Sequence, residues 1–140
     1  NRLLQRFDCS ENEISSLNLS ANLSLLSLWC YHNKLESLNV SSNTNLAALD
    51  CSDNTLTALD VKNNVFLERL LCYNNSLTSL DISENKKLSR LWMYGNRLSD
   101  NEIQKISTAL NEVTRGDLWL SDKVPNELQT KLSAKGWTVR

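Results

Sequence analysis

Four cysteines, one histidine and sixteen carboxylates are the groups in this 140-residue chain with the means to do chemistry. Cys9, Cys30, Cys51 and Cys72 stand 21 residues apart, and the next step of 21 falls on Met93. Zinc needs four ligands converging tetrahedrally on one point, whereas equal spacing through a repeat lays thiols out in a line. Neighbours in such a line have parallel side chains, with Cβ atoms nearer ~5 Å than the roughly 3.8 Å a disulfide prefers. Met93 keeps apolar volume in the same column and discards thiol chemistry. The expectation is a row of buried free thiols that behave as small apolar side chains, with no metal and no cofactor. His32 has no second histidine beside it and no oriented partner of the kind a general base needs, so it reads as a solvated loop-edge residue. Asp60 and Asp81 share a column with Asn18 and Asn39 and read as a solvated face. No D-x-D-x-D string is present to make a calcium loop. An enzyme is not expected.

The cysteine spacing is one column of a larger repeat. Asn12, Asn33, Asn54, Asn75 and Asn96 keep the same period, as do Leu4, Leu25, Leu46, Leu67 and Leu88. Phe7, Leu28, Leu49, Leu70 and Leu91 form a further column, and Ile14, Leu35, Leu56, Leu77 and Leu98 another. A second asparagine column runs through Asn22, Asn43, Asn64 and Asn85. The unit is L-x-x-L-x-C-x-x-N-x-L-x-x-L-x-(L/V/I)-x-x-N, closing at 21 residues. It accounts for the composition, in which 27 Leu, 18 Asn and 18 Ser stand against 3 Gly and 1 Pro.

The L-x-C step alternates with a period of two and predicts a short strand with Leu and Cys facing inward. One such strand cannot bury its apolar side alone, so successive units stack in parallel about 4.8 Å apart around a continuous core. The asparagine after each strand is expected to turn its amide into the bend and satisfy backbone groups there. Twenty-one residues are too few for a strand and a full helix, so the convex side is expected to hold short 3₁₀ turns or extended chain.

After residue 98 the period changes. Ser99-Asp100-Asn101-Glu102 has capping-box spacing, with Ile103, Ile106, Leu110 and Val113 on one face of a helix that Gly116 is expected to stop. Leu118-Trp119-Leu120 repeats the phase of Leu91-Trp92-Met93. A second helix is expected from about Pro125 to Lys135, ended by Gly136, and Trp137-Thr138-Val139 as a last strand. The reading is one α/β solenoid: repeats over 1–98 and a segment over 99–140 that continues the sheet and caps it. At the other end the chain begins inside a repeat, with Leu3, Leu4 and Phe7 and no polar capping segment. Such an edge is open to a preceding portion of chain or to pairing with a second copy.

Once Leu, Cys and Asn are assigned to the frame, the outward columns carry the information. Between Leu and Cys stand Asp8, Trp29, Asp50, Leu71 and Trp92, continuing to Trp119. After Cys stand Ser10, Tyr31, Ser52, Tyr73 and Tyr94, and before the strand leucine stand Arg6, Ser27, Ala48, Arg69 and Arg90. Trp, Tyr and Arg dominate interface energetics, and solvent-facing rings on a rigid sheet suit a protein or a sugar. The candidate binding residues are Trp29, Tyr31, Arg69, Leu71, Tyr73, Arg90, Trp92, Tyr94 and Trp119, densest from Leu71 to Trp119. The competing reading is that the rings stabilise the sheet by cross-strand packing with no ligand. A net charge of −1 gives no electrostatic case for nucleic acid, and no apolar run approaches the roughly 18 residues of a membrane span.

The pattern over residues 1–98 resembles the leucine-rich repeat family, and the 21-residue period with Cys in the strand is most similar to the internalin J-type, cysteine-ladder branch of bacterial secreted and surface proteins. That resemblance implies a parallel sheet on the concave face, an adhesin-like protein or carbohydrate binding module, and a secreted or cell-surface location. A spacer segment of a larger surface protein, with no ligand of its own, is the alternative it leaves open.

Overall fold

A computed structural model of the chain describes residues 1–121 and 124–140. Five three-residue strands recur at the repeat period: β1 (Arg6–Asp8), β2 (Ser27–Trp29), β3 (Ala48–Asp50), β4 (Arg69–Leu71) and β5 (Arg90–Trp92). Helix α1 (Asp100–Ala109) leads to β6 (Gly116–Trp119), and α2 (Asn126–Ala134) leads to β7 (Trp137–Val139). The seven strands pair in parallel in sequence order, and across the repeats the register joins each residue to the one 21 positions on: Phe7 to Leu28, Leu28 to Leu49, Leu49 to Leu70 and Leu70 to Leu91. The parallel α/β leucine-rich repeat solenoid expected from the repeat is the fold observed.

The strands are short because the chain leaves the extended region two residues after Cys. Glu11, His32, Asp53 and Asn74 all have φ between 50° and 55°, and Gly95 has 64°. Cys30 lies just past β2, yet its amide still donates to Asp50 O of the next strand at 2.8 Å, so hydrogen bonding between repeats outlasts the extended segment. Gly95 also answers a steric demand, because a Cβ there would meet Asn74 Oδ1 at 2.2 Å.

Leu28, Leu49, Leu70 and Leu91 fill one side of the sheet together with Cys30, Cys51, Cys72 and Met93, all essentially inaccessible. A fully buried leucine contributes about 2 kcal/mol by the area rule, so the column repeats the same stabilisation at each unit. The first asparagine column joins the units. Asn54 Nδ2 donates to Cys51 O and Ser52 O within its own bend and to Cys30 O of the preceding repeat, while Leu35 N donates to its Oδ1 at 2.9 Å. Asn33 and Asn75 make the same set, so the amide closes its own turn and bolts it to the repeat before. On the convex side the second asparagine column sits in paired turns: Asn43 N donates to Val40 O and Leu46 N to Asn43 O, each at 3.0 Å. These single turns, joined by extended chain, are what the short repeat allows.

One local expectation is extended and two are corrected. Asp60 and Asp81 are turn formers as well as solvated: Lys62 N donates to Asp60 Oδ1 and Ser83 N to Asp81 Oδ1, as Ser20 N does to Asn18 and Ser41 N to Asn39. Helix α1 ends at Ala109, short of Val113 and Gly116, because Leu110 is already extended at its C-terminal cap. Gly116 opens β6 instead, where a Cβ would strike the Trp137 ring at 2.5 Å. The capping box is also half used: Glu102 N donates to Ser99 Oγ, but the Glu102 carboxylate turns away and accepts from Leu80 N of the fourth repeat at 3.4 Å. Helix α2 ends as expected, with Gly136 at φ 88° and its amide donating to Ser133 O.

Candidate functional site

The register decides which outward side chains meet. Arg69 pairs with Arg90 and Arg90 with Asp117, while Leu71 pairs with Trp92 and Trp92 with Trp119. The column after Cys adds Tyr73 and Tyr94, one repeat apart. A parallel in-register stack thus brings residues that are scattered over fifty positions onto one patch of β4, β5 and β6.

Within that patch the rings pack on one another. Tyr94 stacks on Tyr73 with centroids 4.8 Å apart and planes 4° from parallel. On its other flank Trp119 stacks at 4.1 Å and 30°. Trp92 meets Trp119 edge-on at 6.0 Å and Tyr73 at 6.3 Å. All four rings are half-buried rather than solvent-facing, because each covers part of the next. Leu71, also half-buried, borders the cluster, and Arg69 is exposed.

Two guanidiniums close over Trp92, with Arg90 Cζ 5.7 Å and Arg140 Cζ 5.6 Å from its ring centroid, within the range of cation–π attraction. Both share one carboxylate: Arg90 Nε lies 3.1 Å from Asp117 Oδ2 and Arg140 Nε 3.2 Å from Asp117 Oδ1. These are close charge contacts rather than in-line hydrogen bonds, since Arg90 Nε and Asp117 Oδ1 are buried with no hydrogen bond to either. Trp92 Nε1 is buried without a partner as well.

Trp29 and Tyr31, on and just after β2, stand apart from this cluster. Trp29 pairs with Asp50, which pairs with Leu71, so β3 interposes a carboxylate and Ser52 between the two groups of rings. Asp50 accepts from both the amide and the hydroxyl of Ser52. Burial pushes its carboxyl above the usual range, against those two bonds. Tyr31 Oη donates to Glu11 Oε1 at 3.4 Å. The nine candidate residues therefore divide into a pair on β2 and a contiguous group of seven on β4 to β6.

Sequence reasoning missed Asp117 and Arg140. Asp117 lay one residue before Leu118, in the column of Arg69 and Arg90, and extending that column into the tail would have found it. Arg140 had no such signal. It reaches the patch because β7 pairs Leu118 with Val139, and the next step of that register sets Arg140 beside Trp119.

The remaining chemical groups do not converge. Cys30, Cys51 and Cys72 are buried free thiols whose pKa values rise through burial, Cys72 to about 12. Cys51 Sγ donates to Leu71 O at 3.7 Å, and the half-buried Cys9 Sγ to Trp29 O at 3.6 Å. His32 is exposed in its left-handed turn, Nδ1 3.6 Å from Asp53 Oδ2. Among the described residues, no group of three or more His, Cys, Asp or Glu is placed to hold a metal ion.

No protein-family model matches the chain, and no curated protein does. Solved structures do. The functional domain of InlJ from Listeria monocytogenes, which includes a cysteine ladder, matches at a TM-score of 0.78 and 33% identity, covering 94% of this chain and 29% of that one. A leucine-rich repeat protein of Leptospira interrogans matches at 0.71 and 30%, covering 74% of this chain and 29% of its own. The internalin InlF of Listeria monocytogenes shares the fold at 0.78 and 19%, over 91% of this chain and 38% of that one. The chain thus spans under a third of the length of the first two. With the 21-residue period, the parallel register and the inward thiol column, these matches place the chain in the leucine-rich repeat family, with repeats of the internalin cysteine-ladder type.

Proposed function

We propose that the chain is a non-enzymatic binding module that docks a protein partner on the β4 to β6 end of its sheet. The observation that carries this reading is the half-exposed cluster of Tyr73, Tyr94, Trp92 and Trp119, held in place by ring contacts and bordered by arginine. Rings of this kind in fixed positions are the anchors around which interfaces concentrate their binding energy. A protein suits the cluster better than a carbohydrate. A sugar stacks on a free ring face, but Tyr94 is flanked by Tyr73 and Trp119, and guanidiniums lie over Trp92. Ring edges are what a partner would meet.

We further read residues 99–140 as the segment that caps the repeats, and the whole as part of a secreted or surface protein, as the likeness to Listeria internalins supports. Among the described residues no helix is long and apolar enough to cross a membrane. The second reading, a spacer without a ligand, draws on the same contacts: rings that cover one another stabilise a sheet whether or not anything binds.

Immobilised protein and glycan panels probed side by side with the chain and its Tyr73→Ala/Tyr94→Ala variant separate these readings. The expected result is protein binding that the variant loses while its far-UV circular dichroism is unchanged. Protein binding that survives in the folded variant would turn the assignment toward the spacer, and binding to glycans alone would overturn the choice of ligand class.

A further inference from the structure

The proposed docking surface has an unbalanced charge that narrows its partner. Arg69 on β4, Arg90 on β5 and Asp117 on β6 share one row of the sheet, and Arg140, past β7 in the neighbouring row of Trp92 and Trp119, reaches across to Asp117: three guanidiniums to one carboxylate. Arg69 and Arg90 are register neighbours, which sets two like charges about 4.8 Å apart at the backbone. Arg69 takes part in none of the ion pairs found among the described residues. The Asp50 charge, to which it is electrostatically coupled, is half-buried behind two hydrogen bonds from Ser52. Like charges directly abreast destabilise a sheet, so the row gains from a negative charge supplied from outside.

The row is also built to receive one. The Asp117 side chain is 18% exposed while those of Arg90 and Arg140 are 38% and 53% exposed, so solvent meets the cations more than the anion between them. Both ion pairs approach Asp117 through Nε, on one side of each guanidinium, and a guanidinium has five N–H donors with which to meet a further carboxylate. Trp92 beneath them restricts both side chains in advance, which lowers the ordering cost of binding. Among the described residues six buried side-chain polar atoms lack a hydrogen bond. Three are Oδ1 atoms of the convex asparagines, and the other three, Arg90 Nε, Trp92 Nε1 and Asp117 Oδ1, all belong to this cluster. Outside the repeating asparagine column, the unmet groups thus gather at this one place, which marks it as a position not shaped by stability alone.

We infer that the β4 to β6 surface recognises an acidic, extended protein segment, its carboxylates on Arg69, Arg90 and Arg140 and its apolar side chains against the edges of Tyr73, Tyr94 and Trp119. The inference rests on the concave-face reading above and adds the partner's chemistry. Arg69 and Arg140 stand three strand spacings apart across the sheet, roughly 14 Å, which an extended peptide crosses with four or five residues. Asp117 is a positioning residue, fixing the two guanidiniums it touches.

Fluorescence anisotropy with a labelled five-residue peptide of alternating glutamate and leucine tests this, against the same peptide with glutamine for glutamate and against a labelled hyaluronan oligosaccharide as a polyanionic sugar. The acidic peptide is expected to bind at least tenfold more tightly than the glutamine peptide and than hyaluronan. Arg69→Glu, an exposed change in no ion pair, is expected to weaken it at least fivefold, and Tyr73→Ala/Tyr94→Ala to weaken both peptides. Equal binding of the two peptides, lost in the tyrosine variant, would overturn the acidic inference while leaving the concave-face reading in place. Hyaluronan binding as tight as the acidic peptide would overturn the choice of a protein, and no binding of the acidic peptide would overturn the inference outright. The protein panel described above judges the concave-face reading independently.

Discussion

The two ends of this sheet share one backbone and carry different surfaces. On β1 and β3 the outward positions hold Asp8, Ser10, Asp50 and Ser52, with each aspartate folded back on its own serine, and the Trp29–Tyr31 pair of β2 stands isolated between them. From β4 to β6 the equivalent positions hold Leu71, Trp92, Trp119, Tyr73 and Tyr94, which pack across strands. Beneath both ends the apolar and asparagine columns of the repeats continue, with Phe7 in the leucine column at β1 and Met93 in the cysteine column at β5. The frame is therefore indifferent to what it displays. A local Asx-type turn and a cross-strand ring stack are two ways of finishing the same strand, and only the second leaves a contiguous surface.

If the frame is common, damage to it should cost the same at either end. Asn54→Ala and Asn75→Ala each strand several buried backbone groups and are expected to lose about 3 to 5 kcal/mol, at about 1 to 3 kcal/mol per unsatisfied group after relaxation. Urea denaturation of the two variants checks this, and a gap well beyond 1 kcal/mol would break the equivalence.

The thiol column gives the next largest effect. The Cys72 thiol titrates at about 12 when folded against 9.0 when unfolded. Between those values the unfolded chain has released a proton that the folded chain still holds. Its contribution is fully present below 9 and is lost as pH rises toward 12, at about 1.4 kcal/mol per pH unit. Burial raises Cys30 in the same direction. Denaturation midpoints measured from pH 8 to 10.5 should fall, and Cys72→Ala and Cys30→Ala should each flatten the slope. A flattening at one end only would show that the outward residues reach into the core.

The surface itself should separate the ends. Tyr94→Ala removes two stacking partners and is expected to cost about 1 to 3 kcal/mol at about 0.5 to 1.5 kcal/mol per ring pair, beyond its buried area. Tyr31→Ala, which breaks no ring contact, should cost about 1 kcal/mol or less through its partial burial alone. Equal losses in thermal melts would erase the distinction between the two surfaces. The smallest effect belongs to the left-handed turn that both ends share. His32→Gly and Asn74→Gly should lie within about 0.5 kcal/mol of the parent, whereas valine at either position should cost about 1 to 2 kcal/mol in that conformation.

What was legible in the sequence follows from how a repeat encodes structure. A column of identical residues at a fixed period states its own register, so the strand order, the inward face and the asparagine turns could be read before any coordinate. The C-terminal elements were read less well. The fate of Gly116 turned on Trp137, twenty-one residues away and outside any repeat, and only packing of that ring against β6 shows why a glycine stands there.

For the binding surface the division is sharper. The candidate residues were legible because they are what remains after the frame is removed. That the rings would cover one another, leaving them half-buried, depended on side-chain orientation, which no spacing specifies. The sequence alone determined that a parallel leucine-rich solenoid would form, because burial of one leucine face at a 21-residue period admits no other economical stacking. The tertiary structure alone decided that Arg90 and Arg140, fifty residues apart, would share Asp117 over Trp92, because that meeting depends on the register of β7, and a single strand outside the repeat has no column to announce it.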